Sequence, residues 1–232
     1  ALAGYRSAFH GAIHTDSECA VDGLKLCREM ARIMADEGVQ LLFGRKVEGF
    51  RRQGQLITAL NLRHVREGAE VLHCEAVVLA AGAHTTGLLA QLGRRLPVYP
   101  LKGYSITLPI TGHTRAPTVS ITDMRRKTVF ARIGDRLRVA GMVELCGMDA
   151  SIPPARIEQL QASTEALFGG GWDIGDCQPW TGWRPATPTG RPVLECPAGS
   201  NLYLNTGHGA LGMTLAFGSA QRLVRLVEHT TH

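Results

Sequence analysis

The stretch Ala76-Val-Val-Leu-Ala-Ala-Gly82 is a continuous apolar run that ends in glycine. A strand that is apolar on both faces suits the interior of a parallel sheet, where helices cover it from either side. Residues His84 to Leu92 then read as a short helix. Eight apolar residues from Ala76 to Ala83 fall far short of the roughly 18 that a membrane span needs.

The neighbouring segments extend this pattern. Ala20, Leu24, Cys27, Ala31 and Met34 recur at helical spacing, which predicts an amphipathic helix over Cys19 to Glu37. Asp16 or Ser17 is expected to cap its start, and Gly38 stands where a C′ glycine ends a helix. An extended run, Val39 to Phe43, then Val47, leads to Ile57–Leu62 and Val71-Leu72, with breaks at Gly54 and Glu67-Gly68. This predicts a β-meander or hairpin. Residues 20–92 together resemble the second half of a nucleotide-binding α/β layer.

The middle of the chain changes character. Gly103–Leu108, Thr118–Thr122, Thr128–Arg132 and Leu137–Gly141 are short alternating segments separated by turns, the pattern of an antiparallel sheet. Pro153-Pro154 opens a helix with Ile157, Leu160, Thr164 and Leu167 on one face, closed by Gly169-Gly-Gly171. Leu202–Asn205 reads as a strand entering a glycine-rich turn, and Leu211 to Glu228 as a final helix.

Composition narrows the function classes. The 232 residues suffice for one large domain or two small ones, and 27 glycines between apolar runs fit a turn-rich α/β protein. The formal charge of +5 gathers at Arg51-Arg52, Arg94-Arg95 and Arg125-Arg126-Lys127 without interleaved aromatics, so no nucleic-acid partner is expected. A basic face on anionic lipid stays open. Six cysteines without a CxxC pair give neither a zinc site nor a disulfide framework, and a reducing cytosol is the simplest compartment. Nine histidines include no HExxH, and no metal site is expected. No signal peptide opens the chain, whose first residues read as the interior of a fold.

Three constellations can carry chemistry. Gly207-His-Gly-Ala-Leu-Gly212 matches G-x-G-x-x-G between a strand and a helix, but only twenty residues follow it, too few for a dinucleotide unit. Its glycines and helix N-terminus suit close approach to an anion or a polarised carbonyl; a tight turn with no ligand explains the residues equally well. In Trp180-Thr-Gly-Trp-Arg184-Pro, within a glycine-rich bend, Arg184 is placed either to bind a carboxylate or to stack on Trp183 as a structural cation. Lys102-Gly-Tyr104 either lines a pocket or belongs to a crossover strand. His208 and Lys102 have no visible acid–base partner, so no triad emerges.

Four stretches fall into a known order: Val77–Ala83, Leu96–Ser105, Arg138–Glu144 and Trp180–Gly218. In this order the chain resembles the small-subunit type of D-amino-acid dehydrogenase, within the D-amino-acid oxidase and glycine oxidase superfamily. The resemblance covers essentially the whole chain, as the C-terminal half to two-thirds of a member, without the N-terminal GxGxxG segment. It implies an α/β (α+β) fold: a partial FAD-binding Rossmann-like layer over 1–95 and 196–232, and a mixed, largely antiparallel substrate-domain sheet with flanking helices over 96–195. The implied cofactor is FAD. Arg184 is implied to bind the substrate α-carboxylate, with Tyr104 and His208 as further catalytic candidates. Val47, Ala81, Gly82 and the turn Gly207, His208, Gly209, Ala210, Leu211, Gly212 and Met213 are implied to meet the cofactor, the turn's helix dipole facing the flavin N1–C2=O edge.

The implied reaction is hydride transfer from an amino-acid Cα to flavin N5, giving an imino acid that hydrolyses to a 2-oxo acid and ammonia. The implied partners are a small amino acid and an electron acceptor, either a quinone or dye or oxygen, in a cytoplasmic enzyme with peripheral contact to the inner membrane. A glycine or sarcosine-type amine oxidase and a 2-hydroxy-acid oxidase are the alternatives within flavin chemistry. A non-catalytic fragment or subunit that needs a partner to bind FAD is the alternative of another class. Thr189 stands where the family has aspartate, and Glu195 where it has glycine.

Overall fold

The computed structural model describes residues 10–230, so the reading of the first residues as the interior of a fold lies outside the described residues. Helix α1 (Gly23–Asp36) precedes strands β1 (Arg45–Gln53), β2 (Leu56–His64), β3 (Gly68–His73) and β4 (Val77–Leu79). A 3-10 turn (Gly82–His84) and α2 (Thr85–Gln91) lead to β5 (Tyr99–Pro109), β6 (Ile121–Asp123), β7 (Thr128–Ile133) and β8 (Arg136–Glu144). Then come α3 (Pro154–Phe168), β9 (Gln178–Ala186), β10 (Val193–Glu195), β11 (Leu202–Thr206), a second 3-10 turn (Gly209–Leu211) and α4 (Gly212–Thr230). This is the mixed α/β architecture the sequence predicts.

Two compact units form: the described residues up to Glu29 with Lys102–Trp183, and Met30–Leu101 with Arg184 onward. In the first, a five-stranded sheet has the order β6-β7-β8-β5-β9, with the pairs β6–β7, β7–β8 and β8–β5 antiparallel. Ile106, Leu108, Phe130, Leu137 and Val139 alternate onto one face and bury against Leu160, Leu167 and Phe168 of α3. Phe130 meets Phe168 edge-on at 5.2 Å between ring centroids. A Cβ on Gly141 would lie 3.3 Å from Leu160 Cδ2, so glycine there lets α3 sit close to β8.

The second unit holds the meander β1-β2-β3 and a sheet of order β10-β11-β4, in which β11 and β4 run parallel. Ile57 of β2 shares one core with Val77, Leu79, Leu89, Leu202 and Leu204. The Asn201 side chain fastens the two sheets, accepting from Ile57 N–H at 2.8 Å and donating to the Ile57 and Glu75 carbonyls.

The helix boundaries refine the sequence reading. α1 starts later than expected because Asp22, and neither Asp16 nor Ser17, caps it, accepting from the N–H groups of Leu24 and Lys25 at 3.1 Å each. At its end Gly38 (φ +82°) donates to Ala35 O and Val39 to Met34 O, a Schellman closure. Val39–Phe43 forms no strand, because an extended segment without a pairing neighbour has no ladder; Val39, Leu42 and Phe43 lie exposed.

The Trp180–Gly190 stretch also differs from the expected bend. It is strand β9 as far as Ala186, and the chain turns only at Thr187–Gly190. Two strand-breaking residues are accommodated for separate reasons. The Trp180 indole lies over Gly182, where a Cβ would collide with it, and Pro185 is tolerated because β9 is an edge strand.

Candidate active site

The second unit contains Val47, Ala81, Gly82, Arg184 and all of Gly207 to Met213. Its parallel pair sets their arrangement. Leu202, Tyr203 and Leu204 stand opposite Val77, Val78 and Leu79, and continuing that register brings Thr206 level with Ala81 and Gly207 level with Gly82. Each strand ends in a left-handed glycine, Gly82 at φ +55° and Gly207 at φ +79°, and each chain then makes a 3-10 turn and enters a helix. Open α/β sheets bind ligands outside such carboxyl ends.

Buried threonines brace the two turns. Thr206 Oγ1 donates to Gly82 O at 3.1 Å, and Thr85 Oγ1 donates to Thr206 Oγ1 at 3.3 Å. Neither threonine was singled out from sequence. The available signal is a β-branched hydroxyl directly before Gly207, which becomes informative only once β4 and β11 are known to be neighbours.

The glycines of the turn have different tasks. A Cβ on Gly207 would lie 2.7 Å from Thr187 Cγ2, so this glycine lets β11 close on the loop after β9. In front of Gly82 and Gly209 nothing stands within 4 Å, which leaves both backbones open to a planar group. Ala210, Leu211 and Met213 are exposed beside them, and no acidic side chain occupies the first turn of α4 to oppose negative charge there. These are residues that fit a flavin edge.

His208 forms an isolated antiparallel bridge with Ala186, which ties the turn to the strand that carries Arg184. Its Nε2 is 2.9 Å from Ser219 Oγ on α4, and burial lowers its pKa below the usual histidine value. The ring thus fastens the turn to the helix in its neutral form. Burial likewise lowers the pKa of the half-buried Arg184 guanidinium from its usual value. Val47 sits half-buried on β1 opposite Leu62.

Lys102 and Tyr104 are buried in the first unit and head a polar chain that runs out to the exposed Asp149 and the partly exposed Glu144 and Arg156. Lys102 Nζ is 3.0 Å from Asp149 Oδ2 and 5.2 Å from the Tyr104 ring centroid. The Tyr104 hydroxyl donates to Glu144, which also pairs with Arg156. Burial opposes the Lys102 charge, yet hydrogen bonds to Asp149 and Tyr104 hold its pKa above the usual value. Burial and the Glu144 hydrogen bond push the Tyr104 phenol up, and hydrogen bonds from Ser151 and Lys102 hold Asp149 down at about 2.

Comparison with known proteins gives the chain's family. Residues 1–226 match the family described as DAO, FAD dependent oxidoreductase. The chain is 40% identical over 227 residues to a D-amino acid dehydrogenase of Cereibacter sphaeroides, an alignment covering 98% of this chain and 51% of the relative. It is 43% identical over 220 residues to D-amino acid dehydrogenase 2 of Pseudomonas aeruginosa, covering 94% and 51%. Among solved structures, iminodiacetate oxidase from Chelativorans sp. BNC1 superposes with a TM-score of 0.72 at 26% identity, covering 90% of this chain and 55% of that one. Glycine oxidase from Bacillus cereus gives 0.72 at 22% identity, covering 88% and 55%, a likeness of fold. The chain spans about half the length of the curated relatives it matches.

Proposed function

The chain belongs to the DAO family of FAD dependent oxidoreductases, and from that membership we propose that it supplies the flavin-edge turns and the carboxylate-binding arginine of an enzyme that oxidatively deaminates D-amino acids to 2-oxo acids and ammonia. The observation that carries the reading is the Gly82 and Gly207 pair at adjacent parallel strand ends, with Ala186 bridged to His208 two residues beyond Arg184. Ala81, Gly82 and Gly209–Met213 would hold the isoalloxazine of FAD, which when bound supplies the two-electron acceptor. Arg184 then fixes the substrate carboxylate, and the N–H groups opening α4 offer partial positive charge to an electron-rich ring edge. The names of the relatives favour D-amino acids as the substrate class.

A glycine- or sarcosine-type oxidase and a 2-hydroxy-acid oxidase share this chemistry, and the acceptor separates them from a dehydrogenase. The dehydrogenase reading expects reduction of a quinone or dye in preference to oxygen. For location, the reading adopts the cytoplasm with peripheral contact to the inner membrane, supported by the formal charge of +5. No helix among the described residues is long and apolar enough to cross a membrane.

A second reading, a subunit that needs a partner polypeptide to bind FAD, is favoured by one feature of the second unit. Val78 on the edge strand β4 is 48% exposed, and Val39, Leu42 and Phe43 are exposed as well. Anaerobic addition of D-alanine to the protein incubated with FAD separates the readings. Bleaching of the visible flavin band supports the dehydrogenase, whereas FAD that stays unbound until a partner chain is supplied supports the subunit. Bound FAD that no D-amino acid bleaches removes the proposed reaction.

A further inference from the structure

We propose that a cavity beside α2, lined by Arg94, Arg95 and Glu195, binds a small zwitterionic α-amino acid. The cavity measures about 160 Å³, with Leu89, Leu96 and Leu204 among its apolar lining. The cavity opens to solvent, with Arg95 and Glu195 exposed, and its volume accommodates glycine or alanine, with their five or six non-hydrogen atoms.

The charges choose the ligand. Among the described residues Arg94, Arg95 and Glu195 make no ion pair, with each other or with anything else, although all three line the same small space. A simple anion meets the Glu195 carboxylate, and a simple cation meets two guanidinium groups. A molecule carrying carboxylate and ammonium two bonds apart satisfies both signs at once.

The frame is built on regular elements. Glu195 ends β10 opposite Leu204 of β11. Arg94 follows the closure of α2, where Gly93 (φ +70°) donates to Ala90 O and Arg94 N–H to Leu89 O, both at 3.0 Å. Leu89 and Leu204, 1% and 2% exposed, line the same space. The inference stands on this cavity and is independent of the role given to Arg184.

Calorimetric titration of the chain with glycine, acetate and methylammonium tests it. Glycine is expected to bind, with both half-molecules at least about tenfold weaker. Glu195→Gln and Arg94→Gln should each weaken glycine about tenfold, while Arg184→Lys should leave this binding in place. Acetate binding as tightly as glycine, no saturation by glycine, or glycine binding indifferent to both cavity variants overturns the proposal. Glycine binding that persists in Arg184→Lys and exceeds that of both half-molecules places the site away from Arg184 even if a cavity variant does not fold.

Discussion

The Thr206 hydroxyl donates to the carbonyl oxygen of Gly82 across 3.1 Å, joining two strand ends through residues 124 apart in sequence. Thr206 is buried, at 1% exposure, and Gly82 is half-buried. The bond sets the spacing of the two turns, and Thr85 in turn donates to Thr206. Thr206→Val keeps the shape and removes the donor, so it should lower unfolding stability by about 1–3 kcal/mol. Urea denaturation reads this directly, and an unchanged midpoint would show that the brace contributes nothing.

Gly207→Ala should cost more than the usual glycine-to-alanine exchange. Its φ is +79°, and the added methyl would meet Thr187 Cγ2 at 2.7 Å. Strain of about 1–3 kcal/mol is expected. Combining it with Thr187→Ser removes the clash and leaves the backbone strain. The double variant should therefore recover part of the lost stability, and recovery of none of it would place the whole effect in the backbone.

Arg184→Ala should raise KM for carboxylate substrates in the FAD-loaded enzyme. Losing a charge-assisted hydrogen bond costs about 1.5–3 kcal/mol, or roughly 10- to 100-fold in kcat/KM. Steady-state kinetics with D-alanine checks it. Kinetics equal to the parent's would take Arg184 out of the substrate site.

His208 gives stability a pH dependence of known sign. Burial places its folded-state pKa below the unfolded value, so the unfolded chain binds the extra proton first. The contribution is complete above about pH 6.5 and is lost as pH falls through the folded-state pKa. Thermal melts of the parent and His208→Gln across this range should differ in slope on the acid side. Parallel curves would refute a neutral, Ser219-bonded imidazole.

Tyr104→Phe separates a structural from a catalytic tyrosine. The hydroxyl donates to Glu144 in the polar chain that includes Lys102, and the ring lies in the core of the first unit. A loss of about 1 kcal/mol in stability with unchanged kcat is expected. A fall in kcat without loss of stability would return Tyr104 to the chemistry.

Much of this protein was legible without coordinates. The 3.6-residue spacing of Ile157, Leu160, Thr164 and Leu167 is the face that α3 buries, with Leu160, Thr164 and Leu167 inside. The apolar run before Gly82 is a strand that pairs in parallel, and Gly38 ends α1 with the bonds its position predicts. These features are local, because periodicity and backbone chirality act within a few residues. The Arg184 strand was harder to see, since Gly182 and Pro185 read as a bend until Trp180 and the sheet edge account for them.

By itself, then, the sequence determined the helices, the strand-ending glycines and the residue types that suit a flavin and a carboxylate. The tertiary structure alone decided which of them meet. Parallel pairing of β4 with β11 put Gly82 beside Gly207, and the Ala186–His208 bridge tied in the strand of Arg184. Tyr104 and Lys102 lie in the first unit, hydrogen-bonded to Glu144 and Asp149. The reason is physical: pairing between distant strands depends on burial and register across the whole fold, and no short stretch of sequence contains that information.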